Sequence, residues 1–338
     1  MKLSLLHAAF LLFAGMAMTT TALAQTPKSL GEIERLDPAF DKIVAPGEKI
    51  EVLAGGFDWS EGPCWIKKDG FLIFSDIPPN KIMKWAPKGG ISLFMEKVGY
   101  SGKEPFKGEE PGTNGITLDA QGRIVLCCHG DRVIKRIEKN GTIGILADKF
   151  EGKRFNSPND LAYHTNGDLY FTDPPYGLPL REKDPAKELD WFGVYRLSKD
   201  GKLTLLTKEM TRPNGIGFSP DEKTLYVAQS DPAAAIWKSF PVKEDGTLGA
   251  SKLFYDSTKW VKDRPGLPDG LKTDKEGRVW ATGPGGVYCF SPDGKILGRL
   301  STGERTANCA WGDDGSTLYI TADAYLCKVK TLTKGAGF

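Results

Sequence analysis

Six residues recur at one position of six similar phrases, and all six carry side-chain oxygen: Glu61, Asn114, Asn159, Asn214, Asp269 and Asn308. The set holds two acids and four amides, with no Lys, Arg, Ser or Thr. Two carboxylates brought together near a narrow axis repel one another and lose hydration, so they take up a proton or a cation. Amide carbonyl oxygens beside them are ligands for a hard cation. The chemistry these types point to is a shared divalent ion. Any one Asn-Gly is an ordinary turn, and the weight lies in six such residues in one register.

The phrases that carry them are SEGPCWIKKDGFLIFSD, GTNGITLDAQGRIVLCCHG, SPNDLAYHTNGDLYFTD, RPNGIGFSPDEKTLYVAQSD, LPDGLKTDKEGRVWATGPG and RTANCAWGDDGSTLYITAD. Each reads as a short strand, a turn of Asp, Asn or Gly, and a second strand rich in β-branched and aromatic residues. A third strand follows: KIMKW, RVIKRI, GVYRL, AIWKS, GVYCF, YLCKV. The period, roughly 40 to 55 residues, is that of propeller blades. The spacing predicts an all-β fold, a six-bladed β-propeller with four-stranded antiparallel blades. The GH and WD signature of WD repeats is absent. EKIEVLAGGF, just before Glu61, has no repeat of its own and is expected to supply the outer strand of the last blade, closing the ring.

In a propeller the first strand of each blade lines the channel, so the six leading residues ring one mouth. The second strand returns to that face with Asp76, His129, Asp173, Asp231 and Asp323, which are expected to orient the ring residues from one strand further out. Asn114 and His129 are also candidate substrate contacts. Three long insertions fall on the same face: VGYSGKEPFKGEEPGT, DPPYGLPLREKDPAKELDWF and DSTKWVKDRPGL. Loops of this kind shape pockets, and Arg154, Tyr176 and Trp191 are further candidate contacts.

The chain opens MKLSLLHAAFLLFAGMAMTTTALAQ, one Lys, a short apolar run and Ala22-Leu-Ala24. That pattern predicts a signal peptide over 1–24, cleavage near Ala24, and a single domain over 25–338 that is periplasmic or secreted. No later segment is apolar enough to span a bilayer. With 45 Lys and Arg against 43 Asp and Glu, scattered, nucleic acid is not an expected partner. The six Cys lie in strand-like runs without CxxC and read as buried small hydrophobes. Only His129 and His164 follow the leader, so a three-histidine zinc site is excluded. An oxygen-only site suits Ca²⁺, with Mn²⁺, Mg²⁺ or Zn²⁺ as alternatives. GxSxG and GxxxxGK[ST] are absent.

EGPCW, FSDIPPNKIMKW, SPNDLAYHTNGDLYFTDPPYGL, RPNGIGFSPDEKTLYV and PDGLKTDKEGRVWAT resemble, in order and from about Val44 onward, the gluconolactonase or senescence marker protein (regucalcin-like) family. The resemblance implies a six-bladed propeller with one axial divalent metal. It also implies Glu61, Asn159, Asn214 and Asp269 as ligands, and Asp269 as the group that activates or orients water. The expected reaction is metal-assisted hydrolysis of a sugar lactone. Three alternatives stay open: hydrolysis of an organophosphate or other ester at the same site, a calcium-stabilised propeller that only binds, and a non-hydrolytic sugar enzyme. Oligomeric state is not legible.

Overall fold

The second strand of every repeat reads apolar on both faces, and a strand of that kind needs a neighbour on each side. The computed structural model, which describes residues 28–338, supplies them. Six antiparallel sheets stand around an axis, and the inner strand of each touches the inner strand of the next until the sixth meets the first. The inner strands are Ser60–Ile66, Thr113–Leu118, Leu161–Tyr163, Pro213–Phe218, Leu271–Thr273 and Thr306–Gly312. The apolar core is divided among the six interblade layers. Cys127, on one face of its strand, packs with Phe171 and Tyr195 of the next blade, and Cys128, on the other face, with Ile73 and Ile82 of the previous one. All six Cys are free thiols. Outer strands, with one face in solvent, alternate in exposure, as in Ile143–Ala147.

Each third strand lies where the sequence places it, from Lys81–Ala86 to Tyr325–Lys330. The ring closes as expected: Ile50–Gly55 pairs with Tyr325–Lys330 as the fourth strand of the last blade. The N-terminal segment does more than that. Ser29–Leu30 adds a fifth strand outside Ile50–Gly55, and Glu32–Arg35 adds a fifth strand to the preceding blade beside Ile296–Ser301. Two blades are therefore five-stranded, and one continuous segment ties them together. These added strands, of two and four residues, sit outside the repeat and give no periodic signal. The expected signal peptide, residues 1–24, lies outside the described residues. Among the described residues no helix is long and apolar enough to cross a membrane.

The recurring acid-Gly and Asn-Gly pairs have a steric cause. A β-carbon on Gly62 would stand 1.9 Å from the Asn114 carbonyl oxygen, and one on Gly215 would stand 2.0 Å from that of Asp269. The inner strands touch backbone to backbone at these points, with Gly115 donating its N–H to Asn159 O at 2.7 Å. The strands bulge there as well, with register breaks between Glu61 and Cys64 and between Pro213 and Ile216. Gly215→Ala is expected to push two blades apart and cost about 1–3 kcal/mol, the usual range for overpacking, read as a fall in the thermal or denaturant midpoint with the ring otherwise intact.

Candidate active site

Inner strands converge on the axis with their leading residues at one end. Glu61, Asn114, Asn159, Asn214 and Asp269, from five successive blades, line a single cavity of about 480 Å³. Four of the five are buried, and Asp269 is part-exposed to the cavity. Asn308, expected as the sixth leading residue, does not line it: Gly270 N bonds Ala307 O as Gly115 N bonds Asn159 O, so Ala307 takes the ring position and Asn308 the following one, held by Gly or Asp160 in the other blades. The Asn308 side chain lies one layer down, under Gly270, with Nδ2 3.4 Å from Asp160 Oδ2 and Oδ1 accepting from Cys309 N. The sequence reading missed Asp160, which stands where the neighbouring phrases carry Gly. That break in the pattern was its signal.

The amides are turned by their neighbours. Asn214 Nδ2 donates to Ser230 Oγ at 2.8 Å, and Ser230 donates in turn to Pro268 O at 2.5 Å. Asn159 Nδ2 lies 3.3 Å from His129 Nε2, which must accept, so the ring proton sits on Nδ1, 3.2 Å from Glu110 Oε2. With the NH₂ groups tied back, the carbonyl oxygens are left over. Asn114 Oδ1, Asn159 Oδ1, Asn214 Oδ1 and Asp269 Oδ1 are all enclosed and have no hydrogen-bond partner. Orphaned buried oxygens are costly unless something electropositive meets them.

The two carboxyls raise the same demand. Burial pushes Glu61 up, with Asp160 and Glu110 adding repulsion against the stabilising Gly62 N–H. Asp269 is raised well above the usual range by burial first, then by Glu61, Asp160 and Glu110. No arginine or lysine pairs with either among the described residues, where no group of three or more His, Cys, Asp or Glu gathers for a metal. The donor set here is two carboxylates with amide oxygens. It fits a hard divalent cation in charge and ligand type, with Glu61, Asn159, Asn214 and Asp269 able to hold it and Asn114 beside them.

The second-strand acids act differently from expectation. Asp173 accepts from Asn156 N, Asn156 Nδ2 and Ser157 N at 2.7–2.9 Å, and Asp76 accepts from Asp58 N and Trp59 N at 3.0 Å. Asp231 accepts from Thr211 Oγ1 and Ala233 N. Asp173, Asp76 and Asp231 therefore do not touch the ring side chains; they hold the segments that lead into or flank the inner strands. His129 is the one returning residue that contacts a ring side chain, from behind it.

Tyr176 lines the cavity. Its buried hydroxyl lies beside Ser230, already committed elsewhere, and has no hydrogen-bond partner. Arg154 and Trp191 do not line it. A small ribbon, Lys149–Phe150 with Lys153–Arg154, carries Arg154 exposed on the outer surface, where Nη2 donates to Asp131 O. Trp191 packs on the layer between the second and third blades and donates to Tyr195 Oη. Four cavity-lining arginines were missed: Arg181, Arg212, Arg264 and Arg305. Three stand two to five residues before a ring position, in RPN, RPGLPD and RTAN.

Residues 59–324 match the family described as SMP-30/Gluconolactonase/LRE-like region. The chain is similar to a gluconolactonase of Zymomonas mobilis, 40% identical over 338 residues covering 94% of each chain. It is also similar to a regucalcin of Xenopus laevis, 27% identical and covering 81% of this chain and 86% of the relative. A solved gluconolactonase structure from Xanthomonas campestris superposes with TM-score 0.78 at 30% identity, covering 93% of this chain and 99% of that one.

Ser230→Ala removes the acceptor that turns Asn214. A buried donor left unpaired costs about 1–3 kcal/mol, so denaturant unfolding in the presence of chelator is expected to show a loss in that range.

Proposed function

The chain belongs to the SMP-30/gluconolactonase/LRE-like family, and on that premise we propose that it is a metal-dependent lactonase that opens a sugar lactone to its hydroxy acid. The observation that carries the reading is the convergence of three enclosed, unpartnered amide oxygens and two carboxyls at one cavity floor. A ring that served only to cap strands would spend those oxygens on hydrogen bonds.

Asp269 is the proposed base. It is reached from the cavity, its Oδ1 has no donor, and the Gly270 N–H beside it is occupied by Ala307 O. It can take a proton from a water as that water's oxygen bonds to the lactone carbonyl carbon. When the ring C–O bond breaks, the same proton can pass to the departing ring oxygen, leaving an alcohol and a carboxylic acid. Glu61, Asn159 and Asn214 would hold a divalent cation with Asp269, Ca²⁺ being the best match to the oxygen set. When bound, such an ion supplies electrophilic polarisation of the carbonyl. Asn114 and Tyr176 offer the remaining polar contacts to sugar hydroxyls within the cavity, and His129 holds Asn159 in its productive rotation.

The leader-like opening makes an exported enzyme part of the proposal. An intact-mass measurement on protein recovered from the periplasm or medium of the native host, expected to begin near Gln25, checks it.

Hydrolysis of glucono-1,5-lactone by the purified protein, followed by acid release, tests the activity. Asp269→Asn is expected to lower kcat by about 10²–10⁴-fold, the range for a lost general base. Chelation is expected to abolish turnover and to lower the melting temperature, with Ca²⁺ restoring both. The stabilisation should amount to about 2.7 kcal/mol at a hundredfold excess over Kd, and Glu61→Gln should lose most of it. A panel of lactones hydrolysed no faster than in buffer would overturn the assignment.

A further inference from the structure

The cavity is lined by both acids and arginines. Its floor carries Glu61 and Asp269, and its rim carries four arginines. Two of these are balanced by the protein. Arg181 pairs with Glu109 at 3.1 Å and Glu110 at 3.5 Å, and Arg212 pairs with Glu182 at 2.7 Å. Arg264 and Arg305 have no carboxylate partner among the described residues. Neither forms an ion pair with Glu61 or Asp269.

Arg264 is nevertheless held in place. It follows the short 3₁₀ turn Thr258–Trp260, and its guanidinium lies 5.6 Å over the Trp260 ring. Trp260 in turn stacks with Tyr255 and with Tyr288, at interplanar angles of 18° and 13°. Gly285 leaves room for the arginine stem, since a β-carbon there would stand 3.1 Å from Arg264 Cδ. A guanidinium supported on an aromatic stack, with its N–H groups unspent, is preorganised for an anion. Arg305 comes from the abutting segment, since a β-carbon on Gly266 would lie 3.8 Å from Arg305 Cα. The two segments lead into neighbouring blades, the fifth and sixth, so both unpaired guanidiniums serve one side of the cavity.

We propose that Arg264 and Arg305 form a recognition site for a terminal anion, and that the substrate class is a sugar lactone carrying a carboxylate or phosphate remote from its lactone carbonyl. The inference rests on the lactonase reading for the word lactone. The anion site itself rests on the unpaired rim charges. The unpaired guanidiniums orient the substrate: its anion is held at the rim, which leaves the lactone end toward Asp269.

Three lactones separate the outcomes: neutral glucono-1,5-lactone, its 6-phosphate, and a glucaric acid monolactone bearing a free carboxylate. At least one anionic lactone is expected to exceed the neutral one in kcat/KM by about 10- to 100-fold, the worth of one charge-assisted contact. Which of the two leads identifies the anion. The advantage should shrink with added salt. In the Arg264→Gln/Arg305→Gln double variant the ratio of anionic to neutral kcat/KM should fall toward one. A neutral lactone turned over as well as both anionic ones, or a ratio unmoved in the double variant, overturns the inference while leaving lactonase activity standing. If no lactone is hydrolysed, titration calorimetry with glucarate, gluconate 6-phosphate and sorbitol decides the anion site alone. Binding of an anion but not sorbitol, lost in the double variant, supports it, and equal or absent binding overturns it.

Discussion

A carbonyl oxygen of the next blade occupies the space where residues 62 and 215 would carry a β-carbon, and the site depends on that close approach. Inner strands that touch backbone to backbone bring five side chains from five blades to one cavity. A propeller with alanines at these points would be a wider ring, and its oxygens would each face water. Glycine at four of the six positions, Gly62, Gly115, Gly215 and Gly270, is the sequence trace of this packing. At Asp160 the pattern is replaced by a buried carboxylate that hydrogen-bonds Leu161 N and lies near Asn308.

Approach alone does not aim the amides. That is done one layer out, by Ser230 and His129. Ser230 accepts from the Asn214 amide and donates to Pro268 O, and His129 meets the Asn159 amide with its other nitrogen toward Glu110. Ser75 and Thr172, on second strands, fix the ring backbone by donating to Asn114 O and Asn214 O of the following blades. The returning Asp residues pin the segments before the inner strands. Hydroxyls, an imidazole and carboxylates thus divide the work that the sequence reading assigned to Asp76, His129, Asp173, Asp231 and Asp323 together. The product is a set of oxygens with nothing left to accept from, which is the property a hard cation requires.

Charge is then distributed by depth. Acids without cationic partners gather at the floor, and arginines gather at the rim, two of them balanced and two not. Low dielectric sharpens both ends. The insertions build the rim, since Glu110, Tyr176, Arg181 and Arg264 all come from them. A scaffold common to many chemistries is thereby given a particular polarity by its loops.

The six-bladed ring, its closure by Ile50–Gly55 and the oxygen character of the site were legible in the sequence. They follow from period and register, and a repeated phrase puts equivalent residues at equivalent places in space. Period says nothing about the direction of a loop. Arg154 and Trp191 sit near the right phrases yet face outward, while Arg264 and Arg305, unremarked in their turns, face the cavity. Nor does a matched phrase guarantee register: Gly270 N bonds Ala307 O as Gly115 N bonds Asn159 O, so Ala307 holds the ring position of the sixth blade and Asn308 stands one residue on, where the other blades carry Gly or Asp160. Local sequence determined which strands form and which side chains lead them, because alternation and turn chemistry act over a few residues. The tertiary structure decided which oxygens stay unpaired and which charges go unanswered, because those depend on contacts between blades far apart in the chain.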